Sequence, residues 1–187
     1  MLASIILDEA PRLDLCSRAI ERFWQVTTKL DRIDLRILAE LQRSGRMTNV
    51  DLAEAVGLSP SPCLIRTRRL ESEGYITGYG AQIDLVKLGE FVLVFTEVTL
   101  ADHRREDFSR FEAGVRTVDE IIECHLVSGG YDYLVKFVCR SIGAYQTLME
   151  SILDRGLNIE KYFSYIVIRP VVIKGEYPLA RLFDPPR

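Results

Sequence analysis

The sequence predicts an α+β protein: short helices over residues 30–78, then strands alternating with helices over residues 90–173. Two observations carry this. In the first stretch apolar residues recur at helical spacing between glycine stops, and in the second, period-two apolar runs are separated by amphipathic ones. A third bounds it: 187 residues at 48% hydrophobic content make one ordinary domain or two small ones with real cores.

The leader, residues 1–28, is read as an N-terminal extension in which Leu15, Ala19, Ile20, Phe23 and Val26 can line one helical face. Its opening, MLASIILDEAPRLDL, has no basic start, and Asp8 and Glu9 break the apolar stretch, so a secretory signal is not expected. No apolar run approaches the roughly 20 residues that span a membrane. A cytoplasmic protein is the expectation.

The first helix is expected from about Asp31 to Ser44, with Ile33, Ile37, Leu38 and Leu41 inward, Asp31 and Asp34 at the positive N-terminal end, and Gly45 as the stop. The second begins at TNVD, where Thr48 and Asp51 have capping-box spacing; Leu52, Ala53 and Val56 face inward and Gly57 ends it. The third starts with Ser59 as N-cap, so Pro60 and Pro62 fall in the first turn, where a missing N–H costs no internal hydrogen bond. At about 100° per residue, Cys63, Thr67 and Leu70 share the core side. Ser61, Ile65, Arg68, Arg69 and Ser72 then point away, with Arg66 on the border.

A short helix, a glycine turn and a pinned second helix with a cationic outer face form a helix-turn-helix. Its DNA-binding use puts the start of the second helix in the major groove, where arginine meets phosphate or the guanine edge and Ile65 can touch a thymine methyl. The bland alternative is a solvated arginine face with Glu71 and Glu73 in ordinary helix ion pairs. The net charge is −3, and residues 31–78 hold seven arginines against seven acids, so any positive field must be concentrated by geometry.

The segment YGAQIDLVKLG, in residues 79–89, is expected as a strand and hinge. FVLVFTEVTL alternates as a strand, and RREDFSRFEAGVR puts Phe108, Phe111 and Val115 on one helical face. DEIIECHLVS and YDYLVKFVC are strands joined through Gly129 and Gly130. Ile142, Tyr145, Leu148, Met149 and Ile152 repeat as a helix, IEKYFSYIVI is a last strand, and residues 174–187 are left as a tail. The order βαββαβ is the ferredoxin-like split βαβ arrangement. Its free sheet face carries enough apolar residues to predict a dimer through the sheets.

Four cysteines without a CxxC pair and two histidines give no basis for a zinc site, and no cofactor is expected. The sequence contains no GxSxG, no P-loop, no dinucleotide fingerprint and no His-centred constellation, so an enzyme is not expected.

The stretch LDRIDLRILAELQRSGRMTNVDLAEAVGLSPSPCLIRTRRLESEGYITGY strongly resembles the N-terminal domain of the Lrp/AsnC (feast/famine) transcription regulators. The resemblance continues through LVFTEVTL, ECHLVSGGYDYLVK and AYQTL, over roughly residues 30–170. It implies a winged-helix-like first domain and a second domain of the effector-sensing and assembly (RAM) type. It maps the DNA-reading segment onto about Asn49 to Arg68. With the outward face, the candidate DNA contacts are Asn49, Ser59, Ser61, Pro62, Ile65, Arg66, Arg68 and Arg69. Ile65 stands where the family often has a polar residue.

The resemblance also implies an amino-acid effector held between subunits near SGGYD, leucine or a related amino acid being the leading expectation. Gly129, Gly130 and Tyr131 would hold the carboxylate end, Asp132 the ammonium group, and Ile142 the side chain. On the residues alone, Gly129, Gly130 and Asp132 are equally ordinary hairpin-turn chemistry. The expected partners are therefore double-stranded DNA, an amino acid and a second copy of the chain, with dimers of this family often assembling to octamers. The alternative is an architectural, nucleoid-associated DNA-binding protein that ignores amino acids.

Overall fold

Asp31 opens the first helix by a reciprocal cap: its Oδ1 accepts from the Asp34 N–H at 2.8 Å, and Asp34 Oδ2 accepts from the Asp31 N–H at 3.1 Å. Two orphan amides are satisfied at once, so α1 (Arg32–Arg43) starts sharply. The computed structural model describes residues 30–183; the expected amphipathic extension over residues 1–28 lies outside them. Described residues 30–83 and 171–183 form a helical unit, and residues 84–170 a sheet unit.

In the helical unit, α2 (Asn49–Val56) is capped by the Thr48 hydroxyl, which accepts from the Asp51 N–H at 3.2 Å. The reciprocal arm expected of a capping box is replaced: the Asp51 carboxylate accepts from the Thr48 hydroxyl itself at 2.7 Å. Gly57 takes φ +75°, a left-handed stop that a side chain would strain. α3 (Pro60–Ser72) follows two residues later, with Pro60 at its first position. Ile37, Leu52, Ala53, Val56, Cys63 and Leu70 form the core of the three helices. Asp34 and Leu35, outside the inward stripe read from the sequence, are buried with them.

Two expectations are corrected here. Residues 79–89 form no strand; a 3-10 turn, Leu85–Lys87, occupies their end, started by the Asp84 side chain accepting from the Val86 N–H. Residues 171–183 are no free tail, and the sheet unit ends at Pro170 instead of the expected 173. The Gln42 side-chain amide pairs with the Tyr177 backbone in both directions, at 2.9 and 3.3 Å, and Arg43 lies 3.6 Å from Glu176. The short α6 (Leu179–Phe183, numbered last in the chain) lies against α1, with Leu179 and Phe183 lining one groove with Leu35 and Leu38.

The sheet unit runs β1 (Val92–Leu100), α4 (Arg105–Val115), β2 (Ile121–Leu126), β3 (Tyr133–Cys139), α5 (Ile142–Asp154) and β4 (Ile159–Ile166). The strands are ordered β2-β3-β1-β4 with every neighbour antiparallel, the ferredoxin-like arrangement expected. Val94, Val98, Val135 and Phe137 from the sheet pack with Phe111 and Val115 of α4 and Tyr145, Met149 and Ile152 of α5. Gly114 permits the close approach of Leu157, since a Cβ there would sit 2.6 Å from a Leu157 methyl. A buried relay ties α5 to the sheet: the Tyr145 hydroxyl lies 2.8 Å from that of Thr96 and also bonds Ser164.

Candidate nucleic-acid interface and ligand turn

Ser61, Pro62, Ile65 and Arg68 are exposed along the first two turns of α3, while Cys63, Thr67 and Leu70 are buried behind them. Ile65 keeps 67% of its surface in solvent, leaving its side chain available for an apolar contact. Ser59 holds the N-cap position without a side-chain cap bond, so its hydroxyl is not committed to the helix end. Asn49 is only partly exposed, and its Nδ2 donates to the Pro60 carbonyl at 2.8 Å, locking the start of α2 to the start of α3. Its place is therefore beneath the helix entry.

The three α3 arginines are exposed or half-exposed as their helical positions pointed, but two of them are engaged by α1. Arg66 Nη1 lies 2.9 Å from Asp34 Oδ1 and 2.6 Å from Asp31 Oδ2. Arg69 Nη2 lies 2.6 Å from Asp34 Oδ2. Both residues remain partly exposed, but their guanidinium groups turn back to a carboxylate on α1 that is 1% exposed. A charge buried to that degree demands partners, and two arginines three residues apart on one helix can share it. Burial alone would push the Asp31 carboxyl up, but the Asp34 N–H and the Arg66 guanidinium outweigh it and hold the group below its ordinary value. Arg68 makes no ion pair among the described residues and carries the outward charge of α3.

In the sheet unit the segment Val127–Asp132 turns between β2 and β3, closed by a Val127 N–H to Asp132 carbonyl bond at 2.9 Å. Gly129 sits at φ +154°, and a Cβ on Gly129 or Gly130 would meet nothing within 4 Å. Tyr131 is half-buried. Asp132, expected to meet an ammonium group, is buried within one copy of the chain. Its Oδ2 accepts from the Leu100 N–H at 2.8 Å, and His103 Nε2 lies 3.0 Å from its Oδ1. That carboxylate ties the turn to the end of β1.

Ile142 begins α5, at the far end of β3 from the turn. Seven strand residues at about 3.3 Å each separate them by over 20 Å, so Ile142 and Gly129–Asp132 do not meet within one copy of the chain. Among the described residues no group of three His, Cys, Asp or Glu side chains is placed to hold a metal ion. The Cys124 thiol is pushed up to about 11 by burial and the nearby Glu112 carboxylate. No helix among the described residues is long and apolar enough to cross a membrane.

This pairing of units is matched by two family models, a winged helix-turn-helix DNA-binding model over residues 30–77 and the Lrp/AsnC ligand binding domain over residues 93–177. The transcriptional regulatory protein DoeX of Halomonas elongata is 48% identical over 143 residues, covering 76% of this chain and 90% of that protein. The chain belongs to the Lrp/AsnC family. The leucine-responsive regulatory protein of Salmonella typhimurium is 46% identical over 142 residues, covering 76% of this chain and 87% of that one. A Neisseria meningitidis transcriptional regulator solved with L-Met superposes at a TM-score of 0.76 with 30% identity, covering 83% of this chain and all of that one. Escherichia coli AsnC superposes at 0.71 with 26% identity, covering 79% and 97%. These relatives are transcription regulators, not enzymes, and this Lrp/AsnC chain carries the family's helix-turn-helix DNA-binding and ligand-binding domains.

Sequence reasoning missed the Asp34 cluster in this Lrp/AsnC chain. A signal was available: Asp31 and Asp34 have capping spacing, and Asp34 falls beside Leu35 and Ile37 on the buried side of α1. The destination of Arg66 and Arg69 had no local signal, because their partner lies more than 30 residues away.

Proposed function

We propose that this Lrp/AsnC chain is a sequence-specific transcription regulator that reads the major groove with the start of α3 and is tuned by a small amino acid. The observation that carries the DNA reading is the exposed first face of α3, where Ser61, Pro62, Ile65 and Arg68 stand clear of the core with no intramolecular task. A hydroxyl, an apolar contact and one guanidinium suit base edges and an adjoining phosphate. Ser59, exposed with an uncommitted hydroxyl, extends this face, Asn49 supports it from behind, and Arg66 and Arg69 brace it.

The active species is a homodimer through the free sheet face, in the cytoplasm, with further assembly of dimers toward an octamer. Leu93, Phe95, Leu134, Val138, Phe163 and Tyr165 share that face by strand register, and Phe163 and Tyr165 are over half exposed. A surface of this kind calls for a partner. The effector is an α-amino acid, leucine or a close relative, at the Gly129–Tyr131 backbone. The room beside those glycines that a Cβ would find and the L-Met found with the Neisseria meningitidis relative support it. Ile142 contributes from a different copy of the chain, since its own turn is out of reach.

The test is selection of a duplex from a random pool by the purified protein, followed by binding of that duplex with each of the twenty amino acids present. The expected outcome is a selected sequence whose binding drops with Arg68→Ala and shifts with one amino acid or a related few. Equal affinity for selected and random duplexes, with no amino-acid response, would overturn the reading in favour of an architectural protein.

A further inference from the structure

We infer that Asp34 is a specificity-determining residue for DNA binding, because it withholds the Arg66 and Arg69 guanidinium groups from the phosphate backbone. The inference rests on α3 being the DNA-reading helix, and goes beyond it to say how that helix limits its own charge.

The geometry is a neutral cluster of two arginines and two aspartates. Asp34 Oδ1 accepts from Arg66 Nη1, and Asp34 Oδ2 accepts from both Arg69 Nη2 and the Asp31 N–H. Asp31 Oδ2 takes a further bond from Arg66 Nη1. The central carboxylate is 1% exposed, so it cannot exchange these partners for water without leaving the core. Arg68 lies between the two clamped arginines in sequence and points elsewhere. Of three guanidinium groups carried within four residues of α3, one is presented outward.

The consequence follows from how proteins bind duplex DNA. Each side-chain cation on a phosphate adds affinity that is blind to sequence and steepens the salt dependence. Base-edge contacts carry the discrimination. A helix that delivered three arginines would hold any duplex more tightly and narrow the ratio between selected and random sites. Binding two of them to Asp34, with Asp31 as the second acid, keeps their long side chains as braces while cancelling their charge. The single buried acid on α1 therefore sets how much of the affinity is sequence-independent.

The test uses the full chain and measures observed affinity against salt on a duplex selected by the wild-type protein and on a random duplex. Asp34→Asn keeps the shape and removes the charge. It is expected to steepen the slope of log affinity against log salt on the random duplex by about 0.9 per protomer, for the one positive charge left without a carboxylate, since Arg66 keeps Asp31. The ratio of selected to random affinity falls with it. Arg66→Gln and Arg69→Gln, singly or together, leave the wild-type slope unchanged, whereas added to Asp34→Asn they cancel the increase.

A flatter slope in Arg66→Gln or Arg69→Gln alone would overturn the inference, since those arginines would then already be on phosphates. So would an unchanged slope in folded Asp34→Asn. If Asp34→Asn does not fold, the single arginine variants decide the matter. Arg68→Ala separates the two levels: if it leaves the slope untouched, α3 is not the DNA-reading helix and the functional reading itself fails. If it flattens the slope while the Asp34 and arginine variants misbehave, only this inference fails.

Discussion

The Asp132 carboxylate accepts a hydrogen bond from the backbone N–H of Leu100 at 2.8 Å, joining the Val127–Asp132 turn to the last residue of β1. Leu100 is fully buried, so no water can replace that acceptor. Asp132→Ala is expected to cost about 1–3 kcal/mol in urea unfolding, the penalty of an unsatisfied buried amide. Asp132→Asn keeps an acceptor oxygen and costs less. Equal stability of Asp132→Ala and wild type would show that the bond is not formed in solution.

Acid acts on the helical unit through Asp31. Its carboxyl is held below the ordinary Asp value of 3.8, desolvation being outweighed by the Asp34 N–H and Arg66. A carboxyl depressed in the folded state contributes stability that is complete above its unfolded value and is lost as pH falls through its folded one. Thermal midpoints should therefore hold steady from about pH 7 to about pH 5 as far as this group is concerned. Below 3.8 they fall, and Asp31→Asn, which can still cap the helix, falls less steeply. Parallel pH curves for the two proteins would remove Asp31 from the acid response.

Gln42 and Tyr177 make the second prediction about the helical unit. Their paired hydrogen bonds hold residues 171–183 on α1. Gln42→Ala should speed hydrogen exchange at the Tyr177 amide, by the roughly 0.5–1.5 kcal/mol that one such bond contributes. Proteolysis between residues 171 and 178 should quicken as well. Unchanged exchange would mean that the segment is held by its other contacts, Arg43 with Glu176 and the packing of Leu179 and Phe183.

The described thiols should be poor nucleophiles. Cys63 and Cys139 are buried and raised by desolvation, and Cys124, raised to about 11, is protonated at neutral pH. Iodoacetamide at about pH 8 should label these three slowly in the folded protein and quickly after denaturation, read site by site by peptide mass spectrometry. Rapid labelling of Cys124 in the native state would contradict its burial.

Much of the fold was legible from local chemistry. Ser59 before two prolines marked the start of α3, Gly57 marked the stop of α2, and the period-two runs marked all four strands of the sheet unit. The strand expected in residues 79–89 failed for a physical reason: β-forming residues need a neighbouring strand to accept their hydrogen bonds, and among the described residues none pairs with them. The candidate sites were half legible. Helical spacing correctly exposed Ser61, Ile65 and Arg68, because facing depends only on the 3.6-residue period.

Sequence by itself determined which faces the helices and strands present, since periodicity and caps are properties of neighbours along the chain. Only the tertiary structure decided where the long and charged side chains end. Arg66 and Arg69 find Asp34 across more than 30 residues, and Asp132 turns in to Leu100 and His103. Residues 171–183 return to α1 from over 120 residues away. A buried charge or amide must be satisfied by whatever partner the fold brings within reach, and that choice is made in three dimensions.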